Sequence, residues 1–478
     1  MKKAHVTQCG DGYYCRCIYR IGPYIADYLE QCLLACVVQG WCPNNGVPCS
    51  HKHKEALLQA CDGEVKRLWE GYGYIADIKP FTSHFPWANI YELLLPDLLH
   101  QVIKGTFKDH LVSWIKAYFK TQPNGSRLLA EMDRRIAAAH PFAGLRRFPE
   151  GRNFKQWTGD SSKALMKVFL PAIAGLVPDG MVRAISAFLE FCYLVCCSEI
   201  SKDILDQIEA VVTRFHDKHT TLLEYGIRDN FLLPRQHSLN HYHISIQMFG
   251  TPNRLCSSIT KSKHIKAVKE PYRHSSHWEA LGQMLEDVDA EDAEGSALWG
   301  DVQLPKRTAS GYPCTVEALS AHLHNPALSE YIHRFLYDQQ NPDSNVFEMD
   351  IPLDQCPQLP DNMRVCVYHS ASALYHAPSD LSGIGGMHRE YICSSPSWKH
   401  SHPRHDIVFI EHNPDKTGFR GLGVAQVWLF LSFHFGVTRY NCALVQWFEH
   451  YQDSPCPVTG MWRVQPDYTF EEFENMKI

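Results

Sequence analysis

Hydrophobic residues near the start of the chain follow two different periods. Over residues 15–21 apolar and polar residues alternate, which predicts a β-strand that ends at Gly22-Pro23. Over residues 25–37 apolar residues recur every three or four positions, which predicts an amphipathic helix. Asp27 is therefore expected in the first helical turn, directly after a strand.

Helical periodicity continues through the middle of the chain. A long helix is predicted to open at Pro96-Asp97, and a short basic helix to open at Ser257 or Ser258 and to close before Pro271. Four further helices are predicted between them, over residues 162–176, 179–197, 201–225 and 235–249. These four helices should form one all-helical block.

The pattern changes after an acidic stretch. Residues 286–294 carry acidic side chains with no apolar period, which is typical of an exposed linker. A helix over about residues 315–339 follows, and short apolar runs come after it, at residues 365–368, 407–411, 425–435, 443–448 and 461–464. Short strands separated by turns predict a small antiparallel sheet or barrel.

The composition is that of a globular chain without an overall basic charge. Its 478 residues are 45% hydrophobic and 12% aromatic, with a formal net charge of -6. A basic excess typical of nucleic-acid binders is absent, so any contact with DNA must come from local patches.

The sequence favours an intracellular protein, nuclear or cytoplasmic, with no membrane partner. The N-terminal residues include two lysines but no following apolar run, so no secretory signal is expected. The longest apolar region, residues 164–177, is interrupted by Lys167 and Pro171 and is too short and too charged to span a bilayer. The 18 cysteines are scattered through helical patterns, which is typical of reduced thiols.

The short basic helix has an unusual distribution of charge. Lys261 shares a stripe with Ile265 and Val268, because residues three and four apart lie on one face of a helix. A lysine directed toward the protein body needs a partner or a function. The other lysines fall on faces that water or a phosphate could reach; they are Lys263, Lys266 and Lys269.

The run over residues 130–285 carries a resemblance to a known family. It contains GLRRFPEGRNFKQWTGDSSKALMKVFLPAIAGLVPD, LPRQHSLNHY and LCSSITKSKHIKAVKEPYR. These segments resemble Plavaka transposases, fungal cut-and-paste DNA transposases of the CACTA-like group. The resemblance implies an RNase H-like core of the DDE type, in which three carboxylates hold two divalent metal ions.

The resemblance also implies roles for two positions. The family's ADYPEQ segment matches residues 26–31, with Leu29 in place of the proline, so Asp27 corresponds to the second catalytic aspartate. Lys261 stands where the family has its third carboxylate, a glutamate. No residue upstream of Asp11 offers the first aspartate, so the chain is expected to start inside the catalytic domain. From the pattern alone, Asp27 is simply a favourable charge at a helix N-terminus.

A lysine at the third position is incompatible with the family's chemistry. Cleavage by two magnesium ions about 3.5–4 Å apart needs carboxylates to offset their charge. An ammonium instead adds a repulsion of about 4 kcal/mol at roughly 4 Å, with an effective dielectric constant near about 20. We therefore expect no cofactor in this chain, although the family uses Mg²⁺. The alternative is that Lys261 is a neutral substitution on a surface helix.

A second motif lies at the start of the long helix. Asp97 followed by His100 resembles an Asp-x-x-His element of related transposases. An aspartate at a helix start also caps the helix by accepting backbone hydrogen bonds. Both interpretations stay open at this point.

Basic and aromatic residues are interleaved over residues 142–163. The basic residues that could contact DNA phosphates here are Arg146, Arg147, Arg152 and Lys155. The same composition is found in partly buried loops whose arginine stems cover aromatic rings. We expect the second arrangement more than the first, and keep both.

Two groups of residues could hold a metal ion, and the pattern supports neither strongly. The first comprises Cys42, Cys49, His51 and His53. The family has a Cys-Pro-x-Cys at this place, but here Cys42 is followed by Pro-Asn-Asn, so the paired ligand is missing. The second group is His237 and His241, four apart on one helix face, with His243 nearby; without a third ligand, structural histidines are the simpler interpretation.

These observations predict an α+β fold that is mostly helical, with a partial RNase H-like core, a large helical insertion and a C-terminal antiparallel β module. The predicted domains are a partial RNase H-like segment, the helical insertion, a helix returning to the core, an acidic linker, and a C-terminal helix with the β module. They span residues 1–50, 51–254, 255–283, 284–312 and 313–478.

The sequence is compatible with three functions. The first is a degenerate transposase remnant, catalytically inactive, that retains contacts with DNA. The second is a protein-interaction scaffold without a role in DNA binding, whose partners contact the β module. The third is a metal-dependent nuclease in which another acid, for example Glu270, replaces the lost ligand.

Overall fold

The structure is a computed structural model, and the elements below are those of its described residues. These are residues 5–10, 12–17, 21–43, 56, 59, 64–75, 78–85, 88–152, 157–197, 199–255, 301–342, 351–360, 363–376, 387–398, 402–413, 415–416, 418–467 and 476–477. They fall into two units. The first comprises residues up to Ile136 and from Glu150 to Leu255, and the second comprises residues 137–149 and most of the chain from Asp301 onward.

The first unit opens with a β-hairpin followed by short helices. The hairpin pairs β1 (His5–Gln8) antiparallel with β2 (Tyr14–Cys17). The helices that follow are α1 (Tyr28–Ala35), α2 (Val65–Tyr72), a 3-10 turn (Phe81–His84) and α3 (Ile90–Leu93). The predicted strand and the helix after Asp27 are both present.

The buried face of α1 differs from the predicted one. Leu29 and Leu33 are 57% and 69% exposed, whereas Gln31, Cys32 and Ala35 are buried. The helix begins only at Tyr28, and its inner face carries a glutamine that hydrogen-bonds to neighbouring backbone. Apolar residues alone therefore predicted the wrong rotation of this helix.

A π-helix (Leu98–Val112) forms the centre of the first unit, and it continues into α4 (Ser113–Thr121) and α5 (Gly125–Ala137). Such wide helical turns are rare and often lie at functional sites. Its inner face is apolar, with Val102, Phe107 and Leu111 almost fully buried. Phe107 packs edge-to-face on Phe169 of the helical block, with ring centroids 5.5 Å apart.

A buried pair of glutamines fixes α1 to the π-helix. Gln101 Nε2 donates to Gln31 Oε1 at 2.9 Å, and Gln31 Nε2 donates to the carbonyls of Ala26 and Leu95 at 2.9 and 2.6 Å. Gln101 Oε1 in turn accepts from the Asp97 backbone N–H at 3.2 Å. Both side chains are at most 2% exposed, so each amide depends on its partners for hydrogen bonding.

The helical block contains the four predicted helical regions. Its elements are α6 (Gly159–Ile173), α7 (Asp179–Val195), α8 (Lys202–Lys218), α9 (Thr221–Glu224), α10 (Pro234–His237), a 3-10 turn (Ser238–His241), α11 (Tyr242–Phe249) and a 3-10 turn (Pro252–Leu255). Thr158 and Ser201 cap α6 and α8 through their hydroxyl oxygens. Phe188 of α7 packs on Phe215 of α8, with centroids 5.5 Å apart.

The second unit packs two helices on antiparallel sheet. The helices are α12 (Val316–His322) and α13 (Leu328–Gln340), and a 3-10 turn (Leu353–Gln355) follows them. The sequence predicts one continuous helix here. The structure breaks it at His324, which has a φ of 53°, because Pro326 lacks the N–H that a continuing helix would need.

The strands of the second unit confirm the predicted antiparallel module. They are β3 (Asp301–Gln303), β4 (Val365–Tyr368), β5 (Ser370–His376), β6 (Met387–Ser395), β7 (Arg404–His405), β8 (Ile407–Glu411), β9 (Leu422–Phe435), β10 (Thr438–His450), β11 (Val464–Pro466) and β12 (Met476–Lys477), with a 3-10 turn (Gly418–Gly421) before β9. Among the described strands one sheet runs β11-β10-β9-β4 with β8 and β12 attached, and another runs β3-β5-β6-β7.

Two features of this unit were not predicted. β3 pairs with β5, and Ala309 and Tyr312 pack against the core, so residues 301–312 differ from the exposed linker assigned to them. The hairpin of β5 and β6 was missed because serine, histidine, arginine and glutamate interrupt its apolar residues, so that they form no continuous apolar run. Strand pairing rather than apolar periodicity defines these segments.

No helix within the described part of the chain combines the length and the apolar character that a bilayer span requires. The fifteen cysteines that the structure describes are all free thiols.

The glutamine pair predicts a specific pattern of destabilisation. Gln31→Met should lower the free energy of unfolding by about 2–3 kcal/mol, because Gln101 and two backbone carbonyls lose their partners in a buried environment. Gln31→Met combined with Gln101→Met should cost less than the sum of the single changes. Urea denaturation measures both values. Gln207→Met, at an exposed position of α8, is the matched control. The Gln31–Gln101 hydrogen bond would be contradicted if the two single changes had additive effects on the free energy of unfolding. It would also be contradicted if Gln31→Met destabilised the chain no more than Gln207→Met does.

Buried histidines predict acid sensitivity in the first unit. Burial, reinforced by His216, lowers the pKa of His219 to about 4, and burial, reinforced by Arg235, lowers the pKa of His110 to about 4. Above the unfolded-state pKa of about 6.5 both states are neutral, and the histidines have no effect on stability. Below it the unfolded chain takes up protons that the folded chain does not, so stability falls as the pH drops toward about 4.

His219, which is 5% exposed and packs on Phe231, isolates this effect. His219→Leu should reduce the stability lost between pH 7 and pH 5 by roughly 1–2 kcal/mol relative to the unchanged chain. Urea unfolding at the two pH values measures this loss. Gln207→Leu, at an exposed position of α8, removes no ionisable group and should leave the pH dependence unchanged. A His219→Leu chain with the same acid sensitivity as the unchanged chain would contradict the assignment.

Candidate functional site

Asp27 lies at the N-cap of α1, on the surface of the first unit. Its Oδ1 accepts a hydrogen bond from the backbone N–H of Glu30 at 3.1 Å, and its carbonyl accepts from Gln31 N–H at 2.9 Å. The chain enters this cap from an extended segment in which Tyr24 exchanges backbone hydrogen bonds with Leu93 and Leu95. Asp27 thus precedes the first helical turn and caps it, and the segment directly before it is extended with one isolated bridge at Tyr24 rather than the strand predicted to lead directly into the helix.

Asp97 and His100 form a buried pair at the start of the π-helix. Asp97, 1% exposed, accepts from the backbone N–H groups of Leu99 and His100 at 3.2 and 3.0 Å. His100 Nδ1 lies 2.5 Å from Asp97 Oδ2. The aspartate therefore caps the helix and contacts the His100 imidazole. The capping role is present, and correspondence to the Asp-x-x-His element of related transposases stays a prediction.

Among the described residues, Asp27 and Asp97 are the two carboxylates that the sequence connects with the family's active site, and both take part in helix caps. A two-magnesium site needs several carboxylate oxygens directed at the ions. Asp27 uses one oxygen in its cap, and both oxygens of Asp97 are engaged with the π-helix and His100. Lys261 and Glu270, the residue at the third position and its suggested substitute, lie outside the described residues.

A second cluster combines residues that the sequence placed in separate groups. Cys42 Sγ lies 3.3 Å from His241 Nε2, and one ligand atom from each of Cys42, His237 and His241 lies within 4.8 Å of the others. The rings of His237 and His241 meet at 73°, with centroids 5.0 Å apart. A thiol and two imidazoles are donors that zinc prefers.

Cys42 is held in place by α1 and α2. Tyr28 accepts from the Gly40 N–H at 2.9 Å and donates to the Trp41 carbonyl at 3.0 Å. Gly73, with a φ of 68° at the end of α2, lies so close to Trp41 that an added Cβ would collide with its ring. Only glycine tolerates both conditions, so the segment before Cys42 has a defined position.

The two histidines are held by the helical block and the π-helix. Arg235, at the start of α10, makes an ion pair with Asp109 at 3.0 Å. Tyr242, next to His241, is fully buried and packs edge-to-face on Phe191 of α7. Burial, together with the nearby His237, lowers the pKa of His241 to about 4, so its imidazole is neutral at neutral pH.

The predicted basic residues occupy different environments. Arg152 is 7% exposed, and its guanidinium donates to both carboxylate oxygens of Asp133 at 2.9 and 3.0 Å. Because the guanidinium is already paired and buried, it is not available to bind a phosphate. In the second unit Arg146 is exposed and its guanidinium lies 5.6 Å from the Phe148 ring, while Arg147 is partly exposed. For Arg152 the structure favours the loop in which an arginine supports its neighbours, whereas Arg146 stays exposed beside the Phe148 ring.

Several predicted residues cannot be placed. The remaining basic positions, Lys155, Lys263, Lys266 and Lys269, and the remaining metal candidates, Cys49, His51 and His53, all lie outside the described residues. Their assignments stay predictions.

The sequence could not reveal the cluster as a unit. Cys42 and His241 are 199 positions apart, and each group alone resembled ordinary structural residues. The only available signal was that both groups lacked further ligands. Their combination depends on the folding of the helical block.

Comparison with known proteins gives one finding. The Plavaka transposase family model matches residues 1–115. This segment contains Asp27, Cys42, Asp97 and His100, whereas the run over residues 130–285 lies beyond it. No curated protein and no solved structure matches the chain. The predicted resemblance is confirmed over the matched segment: residues 1–115 are similar to the Plavaka transposase family.

Proposed function

We propose that the chain is a Plavaka-like transposase remnant that no longer cleaves DNA but still binds it. The observation that carries the proposal is the pairing of a family match over residues 1–115 with a lysine at position 261. The match supports a transposase origin, and the lysine removes a ligand that the two-metal reaction requires.

The proposal includes a partial RNase H-like core. An antiparallel hairpin is followed by a chain segment that makes a parallel bridge between Tyr24 and Leu94, and then by a helix capped by Asp27. This order, with the acid directly after an extended segment, is compatible with a catalytic edge that has kept its second aspartate.

The proximity of Cys42 and His241 supports the proposal that the chain, after the helical block, comes back to the segment that contains Asp27. It places the end of the helical block beside the segment that follows α1. The sequence predicts that the basic helix with Lys261 opens at Ser257 or Ser258, eight or nine positions after the end of α11 at Phe249 and outside the described residues. The proposal is that this helix approaches the same side of the first unit and that Lys261 takes the position of a former metal ligand.

For DNA binding we retain the exposed basic residues and set Arg152 aside. Arg146 is exposed and Arg147 is partly so, and the three lysines Lys263, Lys266 and Lys269 point away from the Lys261 stripe in the predicted helix. With a net charge of -6, the chain must bind phosphates through such local patches.

Loss of cleavage is tested by restoring the acid. The unchanged chain should show no magnesium-dependent nicking of supercoiled DNA. Lys261→Glu should bind Mn²⁺ more tightly than the unchanged chain by about tenfold or more, since it replaces a repulsive charge by a ligand. Adding Asp27→Asn should abolish the gain. Electron paramagnetic resonance of free Mn²⁺ measures the binding.

Lys263→Glu makes the same charge change on another face and serves as the control. It should leave Mn²⁺ binding close to that of the unchanged chain. Equal gains in both variants would show that Asp27 and position 261 do not share a site. Magnesium-dependent nicking that Asp27→Ala abolishes would establish an active nuclease instead.

DNA binding is tested by its salt dependence. The affinity for duplex DNA should fall steeply as salt rises, because each neutralised phosphate releases counterions. Replacing Lys263, Lys266 and Lys269 by glutamate should weaken binding and lower the slope of log affinity against log salt by about 0.9 for each phosphate that is no longer neutralised. Gel-shift titration over a series of salt concentrations measures the slope.

The matched control replaces Lys66, Lys202 and Lys218 by glutamate, since all three are exposed lysines of the first unit. This variant has the same net charge and should bind nearly as the unchanged chain does. Equal losses of affinity in both variants would contradict a localised interface. No binding at low salt would favour the protein-interaction scaffold.

A further inference from the structure

We infer that Cys42, His237 and His241 bind a zinc ion. The three ligand atoms already converge within 4.8 Å, and the thiol and one imidazole are 3.3 Å apart. The inference rests on these side chains alone and is independent of the catalytic history of the chain.

The geometry is close to that of a tetrahedral zinc site. Bond lengths of about 2.3 Å to sulfur and about 2.0–2.1 Å to nitrogen place neighbouring ligand atoms roughly 3.3–3.6 Å apart. The Cys42–His241 separation of 3.3 Å meets this value. The remaining separations are at most 4.8 Å, so they need a closure of at most about 1.5 Å. Small side-chain rotations supply such a movement without displacing the backbone.

The backbones that carry the ligands are fixed independently of any metal. Cys42 follows a segment anchored by Tyr28 and Gly73, and the histidines flank the buried Ser238 and Leu239. The ligands are therefore pre-positioned, which favours binding because little order has to be imposed. Cys42 is 7% exposed while His237 is exposed, so an ion can enter from the side of His237.

The donor types select the metal. A thiolate and two imidazoles suit zinc and disfavour magnesium and calcium, which require oxygen ligands. On binding, the Cys42 thiol loses its proton to solvent and the sulfur donates an electron pair to the ion. A fourth donor, water or another side chain, completes the tetrahedron.

The ion would join two distant parts of the first unit. Cys42 follows the helix capped by Asp27, and His237 and His241 lie near the end of the helical block. Zinc would thus act as a clamp across a separation of 199 positions in sequence. A site of this kind stabilises the folded chain, because the unfolded chain does not assemble it.

The test uses the full chain, stripped of metal with a chelator and then titrated with Zn²⁺ and with Co²⁺. We expect one zinc per chain by elemental analysis, a rise in thermal midpoint on zinc addition, and a cobalt–thiolate charge-transfer band. Cys42→Ser, His237→Gln and His241→Gln should each weaken binding by about tenfold or more, and Cys42→Ser should abolish the charge-transfer band.

The matched controls remove the same chemistry at neighbouring positions. His243→Gln removes a histidine of α11 whose Nε2 faces Glu209 at 3.9 Å, and Cys197→Ser removes a free cysteine. Both should bind zinc as the unchanged chain does. His237 is exposed, so His237→Gln provides a variant whose folding should be unaffected.

Three results would overturn the inference. They are an unchanged chain that binds no zinc, a cobalt complex without the thiolate band, and a His237→Gln affinity equal to that of His243→Gln. Zinc binding that requires all three residues, with intact controls, would establish the site.

Discussion

The hydrogen bond between the buried amides of Gln31 and Gln101 is the constraint on which the first unit depends. It joins α1, which begins at Asp27, to the π-helix, which begins at Asp97. The same π-helix carries Asp109 near its other end, and Asp109 holds Arg235 and thereby the start of the histidine segment. The π-helix therefore connects Asp27, the Asp97–His100 pair and the Cys42–His237–His241 cluster.

This arrangement separates two kinds of metal chemistry. A two-metal reaction depends on hard oxygen ligands such as carboxylates. The cluster of sulfur and nitrogen donors lies on the other side of α1 in sequence, and it needs only neutral imidazoles and one thiolate. The two sites are chemically independent, because magnesium requires oxygen ligands whereas the cluster offers sulfur and nitrogen.

The sequence predicted local structure well where apolar periodicity is the dominant signal. The helices of the central block and the strands Val365–Tyr368 and Ile407–Glu411 are where they were expected. The sequence-based prediction failed where polar interactions determine the structure. The face of α1 that is buried carries Gln31, whereas Leu29 and Leu33 are exposed. The β5–β6 hairpin was missed because pairing between strands, rather than its own composition, stabilises it. The Cys42–His237–His241 cluster forms only when side chains 199 positions apart in sequence come together. Local sequence patterns carry no information about such a long-range contact.

X-ray absorption at the zinc edge of the full chain tests the central claim most directly, because it identifies the donors without mutation. If folding brings the segment after α1 against the histidine segment, the ion should have a sulfur neighbour at about 2.3 Å together with imidazole nitrogens at about 2.0–2.1 Å. A shell that contains only oxygen and nitrogen, or sulfur without imidazole, would contradict the account.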